Sequence, residues 1–362
     1  MSSVETTSRA ALLRAYDQHR AKQWLLISAG LVAVLVTALI STGLGVQSIG
    51  PLRTLRALLS PVLPEQWRTD IGPTQIAILY NLRLPRAFMA IIGGAALSLS
   101  GVALQGITRN PLVSPYTLGI TPAASFGAAI AVVLGAASMP GGRYMMVATA
   151  FIAAMVCATG VLSISSMRGV TSVMLILCGI ALTFLFSALT DTIRFIATEQ
   201  ELAIIVQWTF GSLNGITWEE VGISAGILVA VFPVLRAHAW ALNAFAAGGD
   251  DVAASLGFAV GRTRIIVTLA AVLAAAGIVS FTGVILFLGL VAPHIARMLI
   301  GGDHRTLIPF AAIVGALILL VADMIGRLAF APIIIPVGIV VSYLGVPIFL
   351  HLLLSRRREL LS

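Results

Sequence analysis

Apolar stretches of about 17 to 25 residues, each long enough to cross roughly 30 Å of hydrocarbon as an α-helix, recur along almost the whole of this chain. They run at 24–46, 85–107, 114–138, 143–165, 171–196, 218–236, 264–282, 306–327 and 333–354. A further stretch, Gly283 to Ile300, is broken by Gly289 and Pro293 and must bring the chain back across for the topology to close. Backbone that is not helical persists at membrane depth only where protein or a water-filled cavity satisfies it, so this pass is expected to face the protein interior. Alternation at barrel spacing is lacking. The expected fold class is therefore an all-α polytopic membrane protein with ten passes. Composition agrees: 59% hydrophobic residues, 10% charged residues and a mean hydropathy of +1.04 leave no polar shell for a water-soluble globule.

Charge placement orients the bundle. With both termini cytoplasmic, the inner side collects fourteen basic residues, Arg109, Arg236, Arg262, Arg264 and Arg305 among them, and the outer side eight, including Arg83, Arg86, Arg143, Arg194 and Arg327. That is the bias of the positive-inside rule. The acidic Glu65, Asp70, Glu199, Glu201, Glu219 and Glu220 fall mostly outside. The net charge of +8 then reflects topology and lipid headgroups, and no nucleic-acid partner is expected. The expected division is a cytoplasmic segment at 1–23, a transmembrane domain at 24–354 with a cytoplasmic loop at 238–264, and a basic cytoplasmic tail at 355–362. The basic, polar start runs into a full-length span without a small-residue cleavage site, so the first span is expected to stay.

Catalytic and metal chemistry is poorly represented. Cys157 and Cys178 lie inside apolar spans and read as small buried hydrophobes. His294, beside Pro293, has no partner ligand at metal spacing. Lys22 is the only lysine and does not sit in a glycine-rich phosphate loop, so a Walker A site is excluded. There is no clustered acid, base and nucleophile set. No catalytic or metal residue and no cofactor is assigned to this chain, and if ATP drives it, ATP and Mg are bound by another chain.

Several segments carry more than apolarity. Around the second span, NLRLPRAFMAIIGGAALSLSGVALQGITRNPLVSPYTLGI places Arg83 and Arg86 on either side of Pro85 and closes on Arg109, Asn110 and Pro111. Its small residues, Gly93, Gly94, Ser98 and Gly101 among them, suit close helix approach. In HAWALNAFAAGGDDVAASLGFAVGRTR, Asp250 and Asp251 fall near the start of a short helix, where carboxylates favour the dipole. Ala253, Ala254 and Leu256 give that helix an apolar face, and Gly257 can stop it. From spacing alone this is equally a solvated link between spans or a docking element. Near the C-terminus stand GVILFLGLVAPHIARMLIGGDHRTLIP, ADMIGR and IPVGIVVSYLGVPIF.

Together these segments resemble the permease subunits of binding-protein-dependent ABC importers for iron-siderophores, haem and vitamin B12, over essentially everything from Arg83 to Leu354. The resemblance implies a vitamin B12 importer-like fold (type II ABC importer) in the bacterial inner membrane. It also implies a second permease, identical or paralogous, two cytoplasmic ATPase subunits, and a periplasmic or lipid-anchored substrate-binding protein. Arg83, Arg86 and Arg327 match positions that receive glutamates of the binding protein, a task suited to the planar guanidinium fork. The alternative is that they anchor helix ends at lipid headgroups, with Arg327 pairing Asp323 one turn earlier. Asn110 and Leu112 match a cytoplasmic gate. Thr171 and Ser172 fall beside the other gate pair, although helix capping accounts for them equally well. Gly249, Asp250, Asp251, Ala253, Leu256, Gly257 and Arg262 match the coupling loop that sits in a cleft of the ATPase. Ile334 stands where the family usually has glutamate and Ala123 where it usually has glycine, departures that bear on cargo more than on membership. An iron(III)-siderophore is the expected cargo, with haem or vitamin B12 as alternatives. An ion-coupled secondary transporter is the runner-up class, with Asp191 and Asp323 as its main candidate carboxylates.

Overall fold

The structure, a computed structural model, describes residues 2–45, 50–59, 72–166 and 171–356. Glu65 and Asp70 of the charge argument, and 357–362 of the expected tail, lie outside the described residues. Every described element is a helix. Among the described residues, seven helical stretches are long and apolar enough to cross a membrane: Arg20–Gly43, Pro73–Thr108, Gly142–Ser165, Ser172–Ile196, Trp218–Ala237, Val260–Thr282 and His304–Leu328. Three further apolar helices, Ile120–Val133, Leu288–Ile300 and Val337–Leu350, are shorter.

In chain order, α1 covers Ser2–Gly43, α2 Pro51–Leu59, α3 Pro73–Ile78 and α4 Leu84–Thr108. Between α3 and α4 the helix widens into a π-turn at Leu79–Arg83. Pro85 has no N–H for the carbonyl four residues earlier and its ring crowds that carbonyl; the π-turn absorbs the misfit without breaking the rod. It also sets the facing of Arg83 and Arg86. Then come α5 (Ile120–Val133), α6 (Gly142–Ser166), α7 (Ser172–Ile196), α8 (Glu199–Thr209) and α9 (Trp218–Ala237). The chain finishes with α10 (Ala239–Ser255), α11 (Val260–Thr282), α12 (Leu288–Ile300), α13 (His304–Leu328) and α14 (Val337–Arg356).

α4 is the centre of the bundle: all its residues except Phe88 and Ile91 are buried. It packs on α13, α11, α12 and α9. Contact with α13 is backbone to backbone, because a Cβ on Gly94 would lie 2.3 Å from the Gly315 carbonyl oxygen and one on Gly315 2.2 Å from that of Gly94. Ser98 Oγ donates to the Ala311 carbonyl in the same seam at 2.7 Å. Small residues supply this closeness where lipid offers no hydrophobic drive to helix association.

Two departures from the sequence reading are structural. The apolar stretch at 114–138 is not one full helix; only Ile120–Val133 is helical. Pro115 and Gly119, the latter at φ 77°, fold the approach into turns, and Thr117 Oγ1 closes one of them by accepting from Ser114 N at 3.0 Å. The irregular pass does face the interior, but its break precedes the expected residues. Extended and left-handed backbone occupies Gly283–Phe287, with φ 71° at Gly283 and 62° at Phe287, while Gly289 and Pro293 lie inside α12. Gly289 is pressed on Gly101 of α4.

Candidate functional site

The motifs of the sequence gather into two clusters, one at each end of the bundle. At the end where α1 and α13 terminate, Asp323 of α13 is 1% exposed and accepts from two arginines. Arg86 Nε lies 2.7 Å from its Oδ1 and Arg327 Nε 3.0 Å from its Oδ2. Arg86 also donates to Asn214 Oδ1 through Nη1. Arg327 reaches the last turn of α1, donating to the carbonyls of Ser41 at 3.0 Å and Leu44 at 2.9 Å and to Ser41 Oγ at 2.7 Å. Arg83 donates to the Thr42 carbonyl at 3.1 Å. The three arginines thus stand together, and all of them bind the protein's own carbonyls or carboxylate. The i,i+4 pairing of Asp323 and Arg327 is present, extended by Arg86 on the same carboxylate and by the carbonyls of Ser41 and Leu44. Arg86 is buried, whereas Arg83 and Arg327 are half-buried.

At the opposite end, α4 stops because Arg109 turns left-handed (φ 54°, ψ 30°) and Pro111 bars Asn110 from the helical region. Asn110 Oδ1 accepts from Leu112 N at 2.9 Å, an Asx turn that holds Leu112 outward, 43% exposed. Thr171 is the N-cap of α7, its hydroxyl accepting from Met174 N at 3.3 Å. Ser172 does something different: its Oγ donates to the Ile107 carbonyl in the last turn of α4, at 3.0 Å.

The expected short helix with acidic start and glycine stop exists as the second half of α10. Gly249, at φ 80° and ψ −152°, kinks α10 in a conformation closed to other residues. Asp250 and Asp251 follow. The end is a Schellman turn, in which Phe258 N donates to the Ala253 carbonyl at 3.0 Å and Gly257 N to that of Ala254 at 2.9 Å, with Gly257 at φ 86°. The apolar residues of this half do not share one face. Ala253 is fully buried with Ala244 and Phe245, whereas Ala254 and Leu256 point outward, Leu256 being 64% exposed. Asp251, Gly257 and Arg262 are exposed; Asp250 pairs inward with Arg264, Oδ1 to Nη2, at 2.7 Å. The first half of α10 is tied to α13: Asn243 Nδ2 donates to Asp303 Oδ1 and Asn243 Oδ1 accepts from His304 N, each at 2.8 Å. The result is a small knuckle, exposed at Ala246–Gly248, Asp251 and Ala254–Gly257, held from behind by two polar clamps.

Arg264 and Asn243 escaped the sequence reading. Arg264 counted only as one of the basic residues of the inner side; it is 1% exposed and lies 5.5 Å over the Phe245 ring. Nothing in local spacing marks that burial. Two of the acidic residues assigned to the outer side cap helices: Glu201 closes a capping box with Thr198 on α8, and Glu220 one with Thr217 on α9. A polar cavity of about 290 Å³ opens on the flank between α5 and α7, lined by Ser125, Ser187, Thr190, Asp191 and Arg194. Asp191 there lies 3.1 Å from Arg194, so both carboxylates weighed for ion coupling, Asp191 and Asp323, already hold arginine partners. Among the described residues no group of three or more His, Cys, Asp or Glu could hold a metal ion.

A bundle with two arginine-rich ends and an exposed kinked helix is set in context by comparison with known proteins. The chain matches the FecCD transport family over residues 33–355. It belongs to that family. Its relatives include the hemin transport system permease HmuU of Yersinia pestis, 33% identical over 94% of this chain and 98% of that protein. The iron(3+)-hydroxamate import permease FhuG of Bacillus subtilis is 34% identical, over 92% of this chain and 98% of that protein. Among solved structures, an inward-facing metal-chelate type ABC transporter superposes with a TM-score of 0.77 at 30% identity, covering 91% of this chain and 98% of that one. As a FecCD-family member the chain is the transmembrane permease of an ABC importer, and in these systems the ATPase is a separate subunit.

Proposed function

We propose that this FecCD-family permease carries an iron(III)-siderophore across the bacterial inner membrane, as one of two permease subunits joined to two cytoplasmic ATPases and served by a periplasmic or lipid-anchored binding protein. The observation that carries the reading is the α10 knuckle. It is a compact protrusion whose exposed side chains are small or apolar apart from Asp251, braced by Asp250–Arg264 and Asn243–Asp303 so that a push on it is not lost in a loose loop. The end bearing α10 faces the cytoplasm, with both termini on that side and 24–354 as the membrane domain. Cargo released at the opposite end enters between the permeases, and the polar flank cavity offers hydroxyls and a charged pair to a chelate's oxygens. The hydroxamate relative supports a siderophore; the hemin relative, at nearly equal identity, keeps haem as the second reading, with vitamin B12 behind it.

The test is uptake in proteoliposomes. With ATPase and binding protein present, labelled ferric hydroxamate accumulates and competes poorly with hemin; accumulation by the permease alone against a gradient would sink the importer reading, and hemin uptake in its place would sink the cargo. Docking is tested at Arg83, which leaves the Asp323 ion pairs intact. Arg83→Glu should weaken binding-protein association in a pull-down or surface-binding assay, and unchanged association removes Arg83 from the docking surface.

A further inference from the structure

Two contacts join the α10 knuckle to the inner end of α4, and neither depends on the backbone between them. The first is a hydrogen-bonded chain. Asp250, immediately after the Gly249 kink, receives Arg264 through both oxygens, at 2.7 and 3.2 Å. The same Arg264 donates from Nη2 to Ser172 Oγ at 3.3 Å, and Ser172 Oγ donates to the Ile107 carbonyl of α4 at 3.0 Å. The second is steric. A Cβ on Gly249 would lie 2.4 Å from Arg109 Nη1, so the kink and the C-cap residue of α4 already touch.

We infer that Arg264 is a positioning residue that relays movement of the α10 knuckle to the inner end of α4 and the Asn110–Leu112 turn, deepening the coupling role proposed above and resting on it. Its chemistry suits a relay. A guanidinium is charged at every physiological pH, and its planar fork bonds a carboxylate on one edge while a free N–H serves a second partner. The guanidinium head is buried against Phe245 and depends on its protein partners, although Asp250 itself is partly exposed, so displacement of Asp250 is felt at Ser172. Ser172 begins α7 and bonds the end of α4, so one side chain links three helices at the level of the gate candidates. The route is a contiguous set of bonds between two exposed elements, the form in which coupling can be tested.

The test uses the full permease–ATPase assembly in proteoliposomes. Arg264→Lys keeps the charge and loses the fork; Ser172→Ala leaves Asp250–Arg264 intact and cuts the chain one step later. Two readouts are followed: cargo imported per ATP hydrolysed, and ATP-dependent reactivity of Leu112→Cys with a membrane-impermeant maleimide, the half-buried Cys178 being replaced by Ala. In the relay, both variants assemble with the ATPases, the import ratio falls roughly tenfold, within the span by which single positions modulate coupling, and the nucleotide-dependent change at position 112 disappears. Variants that keep the ratio and the change at 112 overturn the relay, as do variants that no longer assemble, which would make Arg264 a folding residue. If the unsubstituted assembly shows no ATP response at 112, the coupling role of α10 falls together with the relay.

Discussion

Asp323 binds two guanidinium groups, one on each oxygen, in a site that is 1% exposed. Removing it strands two cations inside the protein, and breaking a buried pair by deleting one partner costs about 3–5 kcal/mol. Asp323→Ala is therefore expected to lower the thermal midpoint of the purified permease sharply, and Asp323→Asn less so because its carbonyl still accepts one arginine. At the other end, Gly249→Ala forces a side chain into a backbone region closed to it and onto Arg109. Strain of this kind costs about 1–3 kcal/mol. Import should fall while α4 and α13 keep their hydrogen-exchange protection, which separates a local fault at the knuckle from general unfolding.

At the scale of elements, caps decide where helices begin and end, and one of them titrates. The Glu201 carboxyl of α8 is held below its ordinary value, chiefly by the hydrogen bond from Thr198 N and then by that from Thr198 Oγ1. A carboxylate lowered on folding stabilises above its unfolded pKa and ceases to do so as pH falls through its folded one. The first turn of α8 should exchange amide protons slowly near neutral pH and fray only once the pH has fallen below the ordinary carboxylate range; exchange-corrected protection that is flat with pH would contradict this. The same caps show what sequence could and could not convey. Helices α6, α7, α9, α11 and α13 fall within a few residues of the apolar stretches, because lipid requires an unbroken helix of that length. The third stretch misled because Pro115 and Gly119 redirect backbone without altering apolarity. Arg327 was readable as a partner of Asp323 from spacing along one helix. Arg86 on the same carboxylate, and Arg264 beneath α10, depend on chain segments brought together only by packing.

For the molecule as a whole, burial is unevenly shared. In their most apolar windows α4 with its preceding turn is 89% buried, α11 72% and α13 61%, whereas α7 is 17% buried and α1 22%. The first set is a frame, and the second offers its sides to lipid or to neighbouring subunits. Gly94→Leu or Gly315→Leu would drive a side chain into the facing backbone, where no rotamer gives relief. Overpacking typically costs about 1–3 kcal/mol, and a clash with main chain falls at or beyond the top of that range. The expected result is loss of the monodisperse peak in size-exclusion chromatography, while Phe184→Leu on the exposed side of α7 leaves it in place. Where two backbones meet without side chains between them, there is no upholstery to compress. The α4–α13 seam must then travel as one piece through every turnover, and any opening of the pathway has to be hinged in the more loosely held rods around it.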